Sequence, residues 1–287
     1  MAIAVVTGSS TGIGQAVAAT LARAGHTVYA TMRNPKTGSE ELRAIAKGEG
    51  LVMHFAALDV DSDESVRDTF ATILSEAGRI DVLVNNAGVG YGGAVEETPI
   101  AAFRATMETN FFGALRCIQA VVPGMRERRA GWIVNISSVA GRFSAAPQAA
   151  YSSSKFALEA LSECLAQEMK GFGVHVAIVE PGVIATPIFG KAQQPPADTQ
   201  YPHLRRVAEL FRASLENPVS PYVVGEKIRD IVESGTWQLR HPVGPDAAGL
   251  LAWRASMSDE EWVDQGAMTD DQWVAYVRQN FHLNVSL

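Results

Sequence analysis

The chain has 287 residues, 47% of them hydrophobic and 19% charged, and 24 Lys and Arg against 31 Asp and Glu give a net charge of −7. This length suits one or two domains with a large core, and the composition excludes a disordered chain or a coiled coil. The acidic balance disfavours a nucleic-acid or anionic-membrane surface, and no apolar run reaches the ~18–20 residues of a membrane span. The first residues carry no signal-peptide pattern and two cysteines suit a reducing cytosol, so we expect a cytoplasmic protein.

Short apolar runs alternate with helical periodicities along most of the chain. The predicted strands are Ile3–Val6, Thr27–Met32, Leu51–Leu58, Ile80–Val84, Trp132–Ile136, Val174–Val179 and Thr236–Arg240. The predicted helices are Ile13–Ala24 closed by Gly25, Ser39–Lys47 ended by Gly48, Asp61–Ala77, Thr98–Arg128 with Thr98 as N-cap and Pro99 at the first position, and Tyr151–Lys170. This alternation predicts an α/β fold of Rossmann type: a doubly wound parallel sheet of about seven strands, with helices on both faces, in one domain over residues 1–287.

The last third of the chain is less regular. The segment Lys191–Pro202 holds three prolines and reads as a loop before a helix at Leu204–Leu215. We expect residues 188–216 to close over a substrate, as mobile lids do. Two Ser/Thr-x-x-Glu/Gln capping boxes begin at Ser258 and Thr269 and predict two short helices that dock through Trp262 and Trp273. Residues 245–287 are therefore a helical extension rather than a second domain.

A glycine-rich turn separates the first strand from the first helix. Its candidate cofactor-binding residues are Gly8, Ser10, Thr11, Gly12, Ile13 and Gly14. Glycine lets a backbone approach a ligand closely, and the free N–H groups and dipole of the following helix favour a pyrophosphate. The Gly-x-x-x-Gly-x-Gly spacing is one residue longer than the GxGxxG fingerprint, so that pattern fails. The alternative is an ordinary glycine-rich turn.

The end of the second predicted strand indicates which dinucleotide binds. An acidic residue there selects NAD, whereas a basic residue can hold the 2′-phosphate of NADP. The strand ends in Met32-Arg33-Asn34, without an acid. The guanidinium of Arg33 suits a phosphate, so we expect NADP(H) rather than NAD(H). The alternative is that Arg33 is a solvated surface arginine.

Tyr151 and Lys155 lie four residues apart on a predicted helix and therefore share one face. A free tyrosine has a pKa near ~10 and is a poor acid or base at neutral pH, and we expect the Lys155 ammonium to lower that pKa. Such a pair is common by accident. Metal chemistry and serine hydrolysis are disfavoured, since the six histidines and two cysteines lack ligand spacing and no Gly-x-Ser-x-Gly elbow occurs.

Seven motifs occur in the order typical of one enzyme family. They are Thr7–Gly14, Asp59, Asn85–Gly88 (Asn-Asn-Ala-Gly), Asn110, Ser137–Ser138, Tyr151 with Lys155, and Pro181–Gly182 followed by Thr186. Together they resemble the short-chain dehydrogenase/reductase family from Ile3 to about Thr186. The segments Tyr29–Arg33 and Arg240–Gly244 resemble the branch that contains 17β-hydroxysteroid and retinol dehydrogenases.

The resemblance implies a catalytic set of Asn110, Ser138, Tyr151 and Lys155. In this family the tyrosine exchanges a proton with the carbonyl or alcohol oxygen, and the serine hydrogen-bonds the same oxygen. The lysine holds the nicotinamide ribose and lowers the tyrosine pKa, and the asparagine anchors a water that links the lysine to solvent. The remaining cofactor-binding residues that the resemblance implies are Asp59, Val60, Asn86, Ala87, Gly88, Pro181, Gly182, Ile184 and Thr186, besides Tyr151 and Lys155. For Asp59 a plain turn carboxylate is an equal alternative. Asn85 and Asn86 are both expected to brace the turn over the adenine ribose through hydrogen bonds to neighbouring backbone.

The loops beyond the strand ends are mostly apolar. Candidate substrate-binding residues are Ser138, Val139, Phe143, Ala145, Tyr151, Ile188 and Phe189. Such a pocket suits an apolar or aromatic ketone, aldehyde or alcohol. The expected function is therefore NADP(H)-dependent carbonyl–alcohol interconversion. Two alternatives remain open, a catalytically silent NADP-binding sensor or scaffold and an epimerase or dehydratase that uses the same Tyr and Lys. The resemblance also implies a homodimer or homotetramer, with neither a metal, a nucleic acid nor a membrane as partner.

Overall fold

A seven-stranded sheet forms the centre of the computed structural model, which describes residues 1–191 and 198–287. The strands are β1 Ile3–Val6, β2 Thr27–Met32, β3 Met53–Ala57, β4 Val82–Asn85, β5 Gly131–Ile136, β6 Val174–Pro181 and β7 Arg240–Val243. Their order is β3-β2-β1-β4-β5-β6-β7, and every neighbouring pair is parallel. Strands β1 to β3 extend the sheet towards one edge and β4 to β7 towards the other, so the strand order reverses between β1 and β4. Doubly wound folds bind ligands at this switch point. The predicted fold class is confirmed.

Helices cover both faces of the sheet. They are α1 Gly12–Arg23, α2 Glu40–Glu49, α3 Asp63–Ala77, α4 Ile100–Met107, α5 Gly113–Arg128, α6 Ala149–Lys170, α7 His203–Ser214, α8 Tyr222–Glu233, α9 Ala247–Ala255, α10 Asp259–Asp264 and α11 Asp270–Phe281. A π-helical turn, Glu108–Phe112, joins α4 to α5. Among the described residues, no helix is long and apolar enough to cross a membrane.

Alternation along the strands sorts the core into two layers. On β1, Ala4 and Val6 face the layer formed with α1 and α8, whereas Val5 faces the layer formed with α3, α5 and α6. Successive strand residues point to opposite faces, and both faces here are covered. This explains why the predicted strands read as nearly continuous apolar runs.

Several predicted boundaries shift because local capping chemistry is ambiguous. Ser62, not Asp61, caps α3, since its hydroxyl accepts a hydrogen bond from Ser65 N at 3.2 Å. The helix predicted to end at Gly48 continues to Glu49, and Gly50, its C-cap, takes the left-handed conformation. Thr98 does not cap α4, because its hydroxyl donates to the Ala94 carbonyl, and Pro99 is the N-cap.

The last third departs further from prediction. The seventh strand lies at Arg240–Val243 rather than Thr236–Arg240, and the helices α8 and α9 were not predicted. The predicted helix at Leu204–Leu215 is α7, and residues 192–197 of the predicted loop lie outside the described residues.

Two helices of the C-terminal extension begin at the predicted capping boxes. Both capping boxes are present, with Ser258 and Glu261 at α10 and Thr269 and Gln272 at α11. The indole N–H of Trp262 donates to the Ser144 carbonyl at 3.1 Å. Trp273 packs in a small apolar cluster that joins α7 to α11. Arg206 of α7, buried, donates from Nε to Asp270 Oδ1 at 2.9 Å and ties the same two helices together.

Candidate active site

The glycine turn between β1 and α1 is too tight for side chains. Gly8 has φ +66°, and a Cβ there would lie 2.8 Å from Ala87 Cα. A Cβ on Gly14 would lie 2.3 Å from Asn86 Nδ2. The N-cap residue Thr11 makes no side-chain bond to the first turn of α1, and that turn carries no acidic side chain. The backbone N–H groups there suit an anion such as a pyrophosphate.

Polar contacts from the β4 end hold this turn. Asn86 Nδ2 donates to the carbonyls of Thr7 at 2.8 Å and Gly8 at 3.1 Å. The Thr7 hydroxyl accepts from the backbone N–H groups of Asn86 and Ala87, both at 3.0 Å. The expectation that Asn86 braces the turn is confirmed. Asn85 differs, because its amide donates at 2.8 Å to Asn135 Oδ1 on β5 and so joins two strands instead.

The end of β2 presents a basic side chain to the same cleft. Arg33 is exposed and lies close enough to Asp61 to lower the pKa of that carboxyl, although burial, the larger effect, raises it. Asp59 Oδ1 accepts from Asp61 N at 3.2 Å, which is the turn-carboxylate alternative, while Asp59 also lines the cleft. Asp61 was missed in the sequence because it reads as a helix cap.

Asn110 lies in the π-helical turn, where the extra residue directs its side chain inward. It is 1% exposed. Its Oδ1 accepts from Val89 N at 2.8 Å, and its Nδ2 donates to Val89 O at 2.9 Å and to Ser154 Oγ at 2.9 Å. These bonds fix the backbone just after β4 against α6. Asn110 lies behind the cleft wall rather than on it, with its Oδ1 3.2 Å from the Cβ position of Gly88.

Lys155 is buried on α6 and points at the carboxyl end of β5. Its Nζ donates to the Ile136 carbonyl at 2.8 Å. It also lies 3.8 Å from the Cβ position of Gly88, which places Asn110 and Lys155 around one glycine. Burial lowers the pKa of Lys155 to about 8, and the Glu159 carboxylate opposes that shift. The ammonium therefore titrates near physiological pH.

Tyr151 lies one helical turn before Lys155, and Ser138 follows β5. Burial raises the pKa of Tyr151, and its hydrogen bond with Ser138 opposes that rise. The sequence predicted a pKa lowered by Lys155, and this is wrong for the described residues. Lys155 Nζ is 5.7 Å from the Tyr151 ring centroid and donates a hydrogen bond to the Ile136 carbonyl. A phenol held protonated beside a second hydroxyl can donate to an oxygen.

A cleft of about 1280 Å³ brings these groups together. The predicted site residues that line it are Gly8, Ser10, Thr11, Gly12, Ile13, Arg33, Asp59, Val60, Asn86, Ala87, Gly88, Ser138, Val139, Phe143, Ala145, Tyr151, Lys155, Pro181, Gly182, Ile184, Thr186, Ile188 and Phe189. Gly14 and Asn110 stand behind this wall. A Cβ on Gly12 would lie 3.2 Å from Thr186 Cβ, so the β6 loop closes over the glycine turn.

Aromatic side chains of the C-terminal extension form part of the wall, and sequence reasoning missed them. Trp253 of α9 and Trp262 of α10 line the cleft, with ring centroids 5.3 Å apart. Phe143 meets Trp262 at 5.7 Å in an edge-to-face pair. Long-range packing alone places the two tryptophans in the cleft wall. The sequence held a partial signal for Trp262, which was predicted to dock onto the rest of the fold. Asp246 was also missed, and its carboxylate accepts from Val183 N at 2.8 Å and orders the loop after β6.

The two cysteines are unpaired. Cys117 is buried, whereas Cys164 is exposed, because its position on α6 faces away from the sheet. Within residues 1–191 and 198–287, no group of three His, Cys, Asp or Glu side chains could hold a metal ion.

Comparisons with known proteins agree with this geometry. The family model described as short chain dehydrogenase matches residues 2–197, which include β1–β6 and the Ser138–Lys155 region. The chain is 42% identical over 180 residues to a 3-ketodihydrosphingosine reductase of Bacteroides thetaiotaomicron, and this match spans 63% of either chain. It is 38% identical over 237 residues to retinol dehydrogenase 8 of Homo sapiens, covering 80% of this chain and 75% of that one.

Solved structures give the same picture. A short-chain dehydrogenase from Streptomyces avermitilis superimposes with a TM-score of 0.80 at 36% identity, covering 93% of this chain and 99% of that one. A metagenomic short-chain oxidoreductase in complex with NADP gives a TM-score of 0.67 at 27% identity, covering 84% and 96%.

Proposed function

The chain belongs to the short-chain dehydrogenase/reductase family, in its retinol dehydrogenase-like branch. On that premise we propose that it interconverts a ketone or aldehyde with an alcohol, using NADP(H), on an apolar or aromatic small molecule. One observation carries the proposal: Ser138, Tyr151 and Lys155 line the same cleft as the glycine turn. The residues also fit a nicotinamide dinucleotide, because the first turn of α1 has no side-chain cap and no acidic side chain, which leaves its backbone N–H groups available to a pyrophosphate.

The chemistry divides between the dinucleotide and the protein. A bound nicotinamide supplies or accepts the hydride, and the chain supplies orientation and a proton. In the reduction direction Tyr151 donates its phenolic proton to the substrate oxygen as negative charge develops there. Ser138, hydrogen-bonded to Tyr151, donates a second hydrogen bond to the same oxygen. In the oxidation direction the same pair removes the alcohol proton.

Lys155 and Asn110 support this pair from behind. The Lys155 ammonium lines the cleft, where it can bind the ribose hydroxyls of a nicotinamide nucleotide. Asn110 fixes the Val89 backbone and Ser154, and Ser154 donates to the Tyr151 carbonyl at 2.7 Å. Asn110 thus orients the first turn of α6, on which Tyr151 stands.

The choice of NADP rests on Arg33. Its guanidinium lies at the end of β2 in the cleft, and no carboxylate occupies the position of the β2 end. The NADP-bound structural relative supports the same choice. Exchange of Met32 for Asp shifts preference towards NAD, measured as the ratio of kcat/KM for the two cofactors. An unchanged ratio contradicts the assignment.

The substrate class rests on the cleft wall. Phe143, Trp253 and Trp262 present three aromatic rings to it, joined by edge-to-face contacts. Phe189 packs at a tilt against Phe211 of α7, with 4.9 Å between ring centroids, on the lid side. Such walls favour an apolar or aromatic body with the reacting oxygen at one end.

The proposal extends to the state of the protein in the cell. We propose one domain over residues 1–287, a cytoplasmic location and a homodimer or homotetramer. Two unpaired cysteines support a reducing compartment. Exposed Phe112 at the start of α5 and Phe156 on α6 support assembly through these two helices, since large exposed apolar side chains mark interfaces.

A turnover assay tests the function. The protein is incubated with NADPH and a panel of apolar ketones, aldehydes and quinones, and loss of NADPH absorbance is followed. We expect turnover that Tyr151→Phe abolishes while Tyr222→Phe, a matched change on α8 outside the cleft, leaves it intact. Binding of NADPH without turnover of any carbonyl would overturn the proposal in favour of a dinucleotide-binding sensor.

A further inference from the structure

A network of charged side chains lies directly behind Lys155, and the mechanism above does not use it. Its members are Glu159 of α6, Glu180 of β6, Arg240 of β7 and Arg142 in the segment after Ser138. Glu159 is 5% exposed and Glu180 is 0% exposed. Buried carboxylates are rare unless they are paired, because desolvation disfavours the charged form.

Arginines from two separate segments bind one oxygen of each of these carboxylates, whereas Glu159 Oε1 and Glu180 Oε2 have no hydrogen-bond partner among the described residues. Arg240 Nε donates to Glu159 Oε2 at 3.0 Å and lies 3.4 Å from Glu180 Oε1. Arg142 Nη1 donates to Glu180 Oε1 at 3.0 Å. Arg240 Nη2 also donates at 2.5 Å to Glu163, whose side chain is 48% exposed. Two guanidinium groups therefore face three carboxylates, two of which are buried.

The network is packed tightly against the catalytic segment. A Cβ on Gly141 would lie 2.5 Å from Ser137 Oγ, 3.1 Å from Glu159 Cγ and 3.3 Å from the Lys155 carbonyl. The segment that carries Ser138 thus rests on the turn of α6 between Lys155 and Glu159. A charge at Glu159 acts on Lys155 through protein rather than through water.

We propose that Glu159 is a positioning residue of the reaction, whose carboxylate, held ionised by Arg240, keeps the neighbouring Lys155 in its ammonium form. Residues four apart on a helix have Cβ atoms about 5–6 Å from each other, and opposite charges at such separations interact strongly when buried. This inference rests on the proposed function, because only there does the ammonium matter for the cofactor and for Tyr151.

The charge balance around the two groups supports the proposal. Burial lowers the pKa of Lys155 to about 8, and Glu159 is the group that opposes this. Burial raises the pKa of Glu159, as does Glu180, whereas Arg240 lowers it. Other charged or titratable groups near them are Tyr151 and Glu163 on α6, Arg142 after Ser138, and His241 on β7.

A lysine titration tests the coupling without any turnover. The chain has six lysines, so carbon-13 labelling at Cε gives few NMR signals, and the signal missing in Lys155→Arg is that of Lys155. In Glu159→Gln we expect the pKa of Lys155 to fall by about one unit, since an opposite charge has been removed. In Glu163→Gln, a matched loss of charge one turn further along the same helix, we expect no fall, because that side chain is half exposed.

Kinetics then ask whether the coupling reaches the reaction. The Lys155-dependent limb of the kcat/KM pH profile should move to lower pH in Glu159→Gln by the same amount as in the NMR titration. Glu159→Asp, which retains the carboxylate, should restore both. If Glu159→Gln does not fold, Glu159→Met decides, because it removes the same charge without leaving a buried amide that needs partners, and it should lower the pKa of Lys155 in the same direction.

Each result has a defined meaning. An unmoved Lys155 pKa in the folded variant overturns the coupling, and a moved pKa with an unmoved profile overturns the positioning role. Absence of wild-type turnover is a failure of the proposed function instead, and leaves the NMR result to be read on its own.

Discussion

Replacing Gly14 with alanine adds one methyl group at the point where α1 passes under the β4 end. The new Cβ would lie 2.3 Å from Asn86 Nδ2 and 2.4 Å from the Gly8 carbonyl oxygen. Both separations are far below van der Waals contact, and the second atom is backbone. The Asn86 amide must move, and with it the bonds to the Thr7 and Gly8 carbonyls at 2.8 Å and 3.1 Å.

The size of the effect follows from these contacts. Two lost hydrogen bonds cost about 1 kcal/mol each, and overpacking by a methyl costs about 1–3 kcal/mol more. The better helix propensity of alanine offsets about 1 kcal/mol. We expect a loss of about 2–4 kcal/mol in the free energy of unfolding. Because the displaced atoms belong to the proposed cofactor site, NADPH affinity should also fall at least about tenfold, or about 1.4 kcal/mol.

Urea unfolding and calorimetric titration with NADPH measure the two quantities. Gly48→Ala in α2 is the matched control, since a Cβ there meets nothing within 4 Å. That variant should gain about 0.5–1 kcal/mol of stability, the usual benefit of alanine over glycine within a helix, and bind NADPH normally. If Gly14→Ala were as stable as the wild type and bound NADPH as tightly, the steric argument for the turn would be refuted.

Three further outcomes are expected. Trp253→Ala should raise KM for bulky apolar substrates about tenfold but leave KM for small ones unaffected, because removing a buried aromatic contact costs over ~1 kcal/mol. Trp237→Ala is the control, since the Trp237 indole donates to Val176 O away from the cleft. Equal effects of the two substitutions would exclude Trp253 from the substrate wall. Ellman's reagent should modify one thiol in the folded protein and two in denaturant, because burial raises the pKa of Cys117 to about 12 while Cys164 is exposed; two fast thiols in the native state would contradict the burial. Arg212 lowers the pKa of Glu209 to about 2, and the Glu209 carboxylate accepts a hydrogen bond from Ser286 N. This anchoring of the C-terminus is therefore complete above the unfolded carboxyl pKa and is lost as pH falls towards 2. Hydrogen exchange of residues 282–287 should speed up between pH 4.5 and 2 in the wild type, and an equal acceleration in Glu209→Gln would argue against this linkage.

Local chemistry determined most of the sheet and the two C-terminal caps. The capping boxes at Ser258 and Thr269 satisfy helix N–H groups within three residues, so they depend on nothing distant. Strands buried on both faces are apolar throughout, and the glycine turn at Gly8–Gly14 follows from its own spacing. These features were predictable because their causes lie close together in the chain.

A missed helix shows where the same reasoning was not carried far enough. In α8, Val224, Ile228 and Ile231 recur at helical spacing and are buried against α1. That signal was present in the sequence. The shift of β7 to Arg240–Val243 has another cause, because its pairing with β6 and the ion pair of Arg240 with Glu159 select the register.

The electrostatics and the outer wall of the site were decided only by the tertiary structure. Phe143 and Trp253 are 110 positions apart, and nothing near either residue indicates that their rings lie 6.3 Å from each other. The sequence identified Tyr151 and Lys155 by spacing but predicted the wrong direction for the tyrosine pKa. The physical reason is that spacing determines which groups can meet, whereas a pKa depends on desolvation, and desolvation is produced by every element that packs around the group.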